Sequence, residues 1–418
     1  MKEKKIAVLG LGYVGLPLAL ELSFHFNVIG FDINSTRIRQ LKKGIDLTLE
    51  VDKSSLRNQQ GKKLSFTNNV GDIRECNFFI ATVPTPIDKK KKPDFSYLLN
   101  VCEILGPILK KNDIVIFEST VYPGATEDIC GPRLEKSSKN LKVGKDFFLG
   151  YSPERVNPGD KIHTIDKINK VISGQNLKVE NDLKEIYSKL TKGKVFIAKN
   201  IKVAEASKVI ENAQRDINIA FINEVAKICA KMNISTYDVL DASLTKWNFL
   251  NFEPGLVGGH CIGVDPYYLA DKAKKIKINP EVVLSGRNTN DRMVDFIGKE
   301  IAKKLKKKSR ILFLGITFKE NVPDLRNSKS ISLMNYLKEK NHNIIFYDPY
   351  ISNLKNYKFK EIEKMKKNFF DAIVLSVPHN IVIDRFKPDI IPLLKEKGFF
   401  FDIKGKFRKD GFLNYWSL

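Results

Sequence analysis

The first half of the chain alternates short apolar runs with amphipathic stretches. Lys5–Gly10 reads as a strand, Val14–Phe24 as a helix and Asn27–Asp32 as a second strand, followed by a helix rich in Arg, Leu and Lys. Asn77–Thr82, Asp113–Ser119 and Phe147–Tyr151 are three more apolar runs of strand length. Such runs, separated by helices, predict a parallel sheet buried on both faces. From Val203 to Met232 the pattern changes: there is no Gly or Pro, and Ala, Glu, Ile and Lys dominate. This predicts one helix of about 30 residues, roughly 45 Å long, enough to bridge two domains. Further helix is predicted over Tyr237–Ala242 and Pro280–Lys306. A second α/β unit then begins, with strands over Arg310–Phe318, Asn343–Asp348, Ala372–Ser376 and Gly398–Ile403 and a helix over Ser328–Lys340. The two α/β units are candidate distant repeats, although only the first carries a glycine fingerprint.

Composition narrows the class. A chain of 418 residues with 43% apolar content builds two or three domains. It holds no apolar stretch of the roughly 20 residues that a membrane span requires. The start, M-K-E-K-K before I-A-V-L-G-L-G, is basic then apolar as in a signal peptide. The run is short and broken by glycines that serve another purpose, so a mature cytoplasmic protein is expected. Five cysteines (Cys76, Cys102, Cys130, Cys229, Cys261) are scattered with no C-x-x-C, and five histidines lie far apart. A disulfide framework and a metal site are therefore not expected. The formal charge of +23 is spread along the chain, with clusters at Lys89–Lys92 and Lys303–Lys308 that do not alternate with aromatics. It reads as a solvated surface that also attracts anionic nucleotides, with neither nucleic acid nor membrane as partner.

The motifs carry the chemistry. G-L-G-Y-V-G, Gly10 to Gly15, follows a strand and opens a helix. Gly10 permits the tight turn, Gly12 lets backbone approach a pyrophosphate and Gly15 allows close helix–strand packing. The helix N-terminus offers free N–H groups to phosphates. Asp32 closes the next strand, where a carboxylate holds the adenosine ribose and repels a 2′-phosphate, which favours NAD over NADP; Arg37 lies close by. V-P-T-P (Val83–Pro86), E-S-T-V-Y-P-G-A-T (Glu118–Thr126) and Y-S-P-E-R-V-N-P-G (Tyr151–Gly159) stand at strand ends, where this architecture binds ligands and where ordinary turns also occur. In P-G-L-V-G-G-H-C-I-G-V-D-P (Pro254–Pro266), two glycines before Cys261 would leave its thiol accessible. Asp265, four residues on, shares its face if the segment is helical. The other four cysteines read as apolar filler. Lys208 and Asn212 lie one turn apart on the long helix, suited to stabilising an oxyanion or to a solvated face.

Together these motifs resemble the UDP-glucose/GDP-mannose dehydrogenase family over nearly the whole chain. The resemblance rests on G-L-G-Y-V-G-L-P, V-P-T-P, S-P-E-R, the long helix with Lys208 and Asn212, G-G-H-C-I-G-V-D-P-Y-Y-L, and G-I-T-F-K-E-N-V-P-D-L-R-N-S (Gly315–Ser328). It implies an α/β fold of two Rossmann-like domains joined by a long central helix and a helical dimerisation region, divided as 1–200, 201–306 and 307–418. The first domain would hold NAD through Gly10, Gly12, Tyr13, Val14, Gly15, Asp32, Arg37, Thr85 and Thr120. The last would bind UDP, with Lys319 as its lysine, and the central helix would form a homodimer. Glu154, Arg155, Lys208, Asn212, Asn248, Phe249 and Gly255 would complete the substrate contacts. The implied reaction is a four-electron oxidation at C6 of the sugar with two NAD consumed. A water held by Asp265 and Lys208 would take the hydroxyl proton. Cys261 would capture the aldehyde as a thiohemiacetal that becomes a thioester. Water oriented by Thr120, Glu154 or Asp265 would hydrolyse it, and Lys208 and Asn212 would stabilise the oxyanions.

His260 and Val264 stand where the UDP-glucose branch usually has serine and lysine. The loop is similar to the UDP-N-acetylhexosamine branch, with UDP-N-acetylglucosamine ahead of the galactosamine and mannosamine forms and a product destined for capsule or O-antigen polysaccharide. Glu253 departs from the arginine or neutral residue common in relatives. Three other readings compete: a two-electron hydroxyacid dehydrogenase, which needs neither Cys261 nor the last α/β unit; a nucleic-acid-binding protein, resting on charge alone; and a sugar-nucleotide binder without activity, against which Cys261, Lys208 and Asp265 count.

Overall fold

Burial on both faces decides where the strands lie. Ile6, Ala7, Val8 and Leu9 are all buried, so the first apolar run is a central strand, β1 (Lys5–Leu9). Its sheet continues with β2 (Asn27–Phe31), β3 (Leu64–Thr67), β4 (Phe78–Ala81), β5 (Ile114–Phe117), β6 (Phe148–Tyr151), β7 (Lys170–Gly174) and β8 (Val195–Ile197). The order is β3-β2-β1-β4-β5-β6-β7-β8. The structure, a computed structural model, describes residues 3–156, 160 and 162–418. Asn157, Pro158 and Gly159 of the third strand-end motif lie outside these.

β1 to β6 run parallel, as the sequence pattern predicts, but β7 lies antiparallel to β6, with Gly150 opposite Gly174. A parallel return needs a crossover of a dozen or more residues, usually a helix. Among the described residues between β6 and β7 there is no helix, and the chain reverses instead.

The second sheet has β9 (Arg310–Leu314), β10 (Asn343–Tyr347), β11 (Lys358–Phe359), β12 (Phe370–Leu375), β13 (Leu394–Asp402) and β14 (Tyr415–Ser417) in the order β11-β10-β9-β12-β13-β14. This repeats the order of the first six strands of the other sheet, the doubly wound arrangement whose ligand crevice lies beyond the strands' carboxyl ends. The repeat extends to hydrogen bonds. After β1, the N–H of Gly10 donates to Phe31 O (2.9 Å) and that of Leu11 to Asp32 Oδ2 (2.9 Å). After β9, Gly315 donates to Tyr347 O (3.0 Å) and Ile316 to Asp348 Oδ2 (2.8 Å). Both glycines have positive φ, +94° and +76°. The turn at Gly315 is why β9 stops at Leu314 and does not run on to Phe318.

A 32-residue helix, Ile201–Met232, separates the two sheets in the chain. The Pro280–Lys306 stretch, predicted as one helix, is two: Glu281–Asp291 and Met293–Lys304, interrupted at Arg292 where ψ is −5°. The chain forms two compact units, Met1–Glu211 with Tyr267–Ile278, and Asn212–Pro266 with Asn279–Leu418. Among the described residues, no helix is long and apolar enough to cross a membrane.

The glycines of the first turn are not equivalent. A Cβ on Gly15 would lie 1.8 Å from Gly10 O and 2.4 Å from Thr82 Oγ1, whereas one on Gly12 meets nothing within 4 Å. Gly15→Ala is therefore expected to lower stability by about 1–3 kcal/mol or more through overpacking, and Gly12→Ala to stay within about 0.5 kcal/mol of native. Urea unfolding of both variants checks this, and equal midpoints would refute it.

Candidate active site

In the first unit, the turn after β1 is braced from two sides. Asp32 accepts from Leu11 N, and its Oδ1 from Asn34 N (2.8 Å). Arg37 Nε donates to Leu11 O (2.9 Å), and its guanidinium lies 2.9 Å from Asp46 Oδ1. Tyr13 and Val14 are half-buried at the helix entry, and a Cβ on Gly12 beside them would meet open space. This glycine cradle with a carboxylate at the end of β2 fits a dinucleotide.

Thr85 follows β4 and Thr120 follows β5; both are half-buried. The loop after Thr120 is held from the long helix. Glu205 accepts from the N–H groups of Gly124 (2.5 Å) and Thr126 (2.8 Å), one turn before Lys208. Burial pushes the Glu205 carboxyl up from 4.5 to about 7, against the pull of those backbone donors. Glu154 is 7% exposed; its Oε1 accepts from Val156 N (2.5 Å), and its Oε2 lies 3.6 Å from Lys170 Nζ. Lys170, fully buried, also donates to Glu118 (2.9 Å), which takes a hydrogen bond from Tyr187 as well. Arg155 pairs with Glu211 on the long helix, and Lys208 is buried.

In the second unit, the predicted spacing of Cys261 and Asp265 is realised. The N–H of Asp265 donates to Cys261 O (2.8 Å), a helical i, i+4 bond that leads into the helix Asp265–Lys275. Asp265 is 2% exposed and accepts from Asn212 Nδ2 (2.5 Å). The long helix thus holds the carboxylate one turn beyond the thiol. Cys76, Cys102, Cys130 and Cys229 are buried; Cys261 is half-buried. The glycines before it serve close packing as well as access: a Cβ on Gly258 would lie 2.6 Å from Asn327 O, and one on Gly259 (φ +82°) 2.7 Å from Phe318. Gly255 is bracketed by Asn223, which accepts from its N–H (2.8 Å) and donates to its carbonyl (3.0 Å). Phe249 packs on Ile222, Tyr237 and Leu240, and Asn248 is exposed.

Lys319 lines a pocket with Gly258, Phe318, Lys329, Ser330 and Lys404. Lys329 is the first residue of the helix Lys329–Glu339, so lysines and a helix N-terminus converge where an anion gains most. Thr120, Glu154, Arg155 and Lys208 belong to the first unit; Asn212, Asn248, Phe249, Gly255, Cys261, Asp265 and Lys319 belong to the second. Sequence reasoning missed Glu205, Asp216, Asn223, Arg287 and Lys329. Glu205 and Asp216 had a usable signal, lying three residues before Lys208 and four after Asn212 on one helix.

Residues 4–191, 202–292 and 312–409 match, in order, the NAD binding, central and UDP binding domains of the UDP-glucose/GDP-mannose dehydrogenase family. The chain belongs to that family. It is thus an NAD-dependent oxidoreductase with a UDP binding domain. It is 49% identical to protein CapL of Staphylococcus aureus over 417 residues, 98% of this chain and 97% of that one. It is 48% identical to the UDP-N-acetyl-D-glucosamine 6-dehydrogenase of Pseudomonas aeruginosa over 413 residues, 97% of each. A solved UDP-D-ManNAc dehydrogenase from Pyrococcus horikoshii superposes with a TM-score of 0.88 at 30% identity, covering 99% of this chain and 98% of its own.

The raised carboxyl of Glu205 has a stability consequence. The native state keeps this proton longer than the unfolded chain does, so the contribution is complete below pH 4.5 and is lost as pH rises through about 7. Glu205→Gln removes the titration. The variant is expected to gain on native by roughly 2–3 kcal/mol between about pH 5 and about pH 8, read from urea unfolding at both. A difference that does not change with pH would overturn this.

Proposed function

We propose that this chain oxidises C6 of a UDP-N-acetylhexosamine, UDP-N-acetylglucosamine first, to the uronate through a covalent intermediate on Cys261, for surface polysaccharide. The observation that carries the reading is the half-buried thiol one helical turn from a buried carboxylate that Asn212 holds. His260 precedes Cys261 and Val264 precedes Asp265, as in the loop of the N-acetylhexosamine branch. The higher identity to the relative named for N-acetylglucosamine than to the solved mannosamine enzyme supports the order of substrates.

NAD, held by the cradle from Gly10 to Gly15 with Asp32, Arg37, Thr85 and Thr120, supplies hydride acceptance at two stages, alcohol to aldehyde and thiohemiacetal to thioester. A water held by Asp265 and Lys208 takes the hydroxyl proton. The Cys261 thiolate adds to the aldehyde carbon, which keeps it bound and prepares it for the second oxidation. Lys208 and Asn212 offset the negative charge on the former carbonyl oxygen. Water oriented by Thr120, Glu154 or Asp265 then displaces the thiolate to give the carboxylate. The uridine diphosphate occupies the pocket of Lys319, with Glu154, Arg155, Asn248, Phe249 and Gly255 completing the contacts. Exposed Val203, Ile210, Phe221, Ile228 and Met232 on the long helix support a homodimer through it.

The test is NADH formed per sugar nucleotide, with UDP-N-acetylglucosamine, UDP-N-acetylgalactosamine, UDP-N-acetylmannosamine and UDP-glucose in parallel. Native protein is expected to give about two NADH per sugar, fastest with UDP-N-acetylglucosamine. Cys261→Ser is expected to lose at least about 100-fold in carboxylate formation. One NADH per sugar with an unaffected variant would refute the thioester route; a faster epimer would move the substrate assignment.

A further inference from the structure

The segment carrying Cys261 is gripped by a buried guanidinium from outside it. Arg287, 1% exposed, sits on the helix Glu281–Asp291. It donates through Nη1 to Asp216 Oδ1 (2.5 Å) and to the carbonyl of Ile262 (3.3 Å), the residue next to Cys261. Asp216 is fully buried on the long helix, one turn beyond Asn212, and also accepts from Asn290 Nδ2 (2.7 Å). A buried guanidinium between a buried carboxylate and a loop carbonyl has little freedom, and it holds the loop at the same place as its partners.

The other side of Arg287 leads away from the thiol. Its Nη2 lies 3.3 Å from Asp291 Oδ1, and the same oxygen accepts from Lys329 Nζ at 2.9 Å. Lys329 lines the lysine pocket with Gly258 and Phe318, against which the Cys261 loop packs. One carboxylate is thus shared between a cation facing the pocket and a cation gripping the loop. A diphosphate in the pocket would compete with Asp291 for the Lys329 ammonium and so shift the carboxylate's balance toward Arg287.

We infer that Arg287 is a positioning residue for Cys261, and that Asp291 and Lys329 couple it to occupancy of the nucleotide pocket. This rests on the reading of Cys261 as nucleophile and of the lysine pocket as the nucleotide site. Binding of UDP alone then changes the setting of the thiol, and the coupling is lost when the shared charge is removed.

The experiment follows alkylation of Cys261 by iodoacetamide, read on its peptide by mass spectrometry, with and without saturating UDP. It uses full-length native protein, Asp291→Asn and Arg287→Lys, with UDP affinity measured by calorimetry. UDP is expected to change the native rate by at least about threefold, and that of Asp291→Asn by less than about 1.5-fold while UDP still binds. Arg287→Lys, which keeps the charge and loses the fork, is expected to lower kcat about tenfold with KM for the sugar nucleotide within about twofold. Absence of a UDP effect in the native protein overturns the inference. So does a full effect in Asp291→Asn, which marks direct shielding by UDP, and so does native kcat in Arg287→Lys. If Arg287→Lys does not fold, Asp291→Asn decides. Failure of the nucleophile reading registers separately, as two NADH per sugar retained in Cys261→Ser.

Discussion

A loop held inside a protein must still satisfy its backbone. The run from Pro254 to Val264 lies outside any helix or strand; the Cys261 carbonyl accepts from the backbone N–H groups of Val264 and Asp265, and much of the rest looks to side chains or water. Asn223 pairs with both groups of Gly255, Asn327 donates to the carbonyl of Gly259 (3.2 Å), and Arg287 donates to that of Ile262. The last of these requires a guanidinium in the interior, which requires Asp216 beside it, which in turn requires the long helix to present that residue there. Burial raises the Asp216 carboxyl from 3.8 to about 6 while Arg287 and Asn290 pull it back down. Asp216, Asn223, Arg287 and Asn290 are thus buried polar residues that serve this one loop.

The two sheets show how one turn serves two ligands. Each has a positive-φ glycine after its first strand and an aspartate at the end of its second, tied to the turn by a backbone N–H. In the first, Asp32 remains half-buried beside the open space over Gly12. In the second, Asp348 is 2% exposed and its carboxylate lies 3.1 Å from Nε2 of the fully buried His379. His379 in turn accepts from Asn321 N (2.9 Å). Pairing with His379 holds Asp348 below the ordinary carboxylate range, although burial works in the other direction. An aspartate committed in this way is closed to a ribose. What this unit offers an anion instead is the lysines and the helix N-terminus around Lys319. That division agrees with the NAD and UDP binding domains matched to the two ends of the chain.

What the sequence revealed and what it hid follow the same physics. Strands buried on both faces mostly read as apolar runs, so β1, β2, β4, β5 and β6 were legible; β7, K-V-I-S-G, is buried throughout but was not, because only Val171 and Ile172 make its apolar run. β8 was not, because Phe196 and Ile197 are exposed and three residues make no pattern. Nor was β3, whose L-S-F-T alternates apolar with polar residues and makes no apolar run. The loop of Cys261 was legible because an ordinary turn has no use for paired glycines, a cysteine and an acid at helical spacing all at once. Asp216 and Arg287 were not. Each is a polar residue on a helix, which reads as solvated surface, and the partners are 71 residues apart. Only the fold reveals that both helical faces point inward.

The choice of NAD over NADP shows the limit of reading charges from their order along the chain. Arg37 stands close enough in sequence to Asp32 to suggest a site for a 2′-phosphate. In the fold its Nε is spent on Leu11 O, and its guanidinium lies against Asp46, leaving the side chain 11% exposed. Asp46 is itself anchored: burial would raise its carboxyl, but the Thr48 backbone and hydroxyl and the Arg37 guanidinium hold it below its ordinary value. An arginine already neutralised by an ionised partner offers a phosphate little net attraction. Asp32, with Oδ1 and Oδ2 fixed by backbone donors at the end of β2, keeps the negative charge there that repels one. The fold thus sets a pair of carboxylates against a 2′-phosphate, one holding the arginine inward and the other fixed at the strand end.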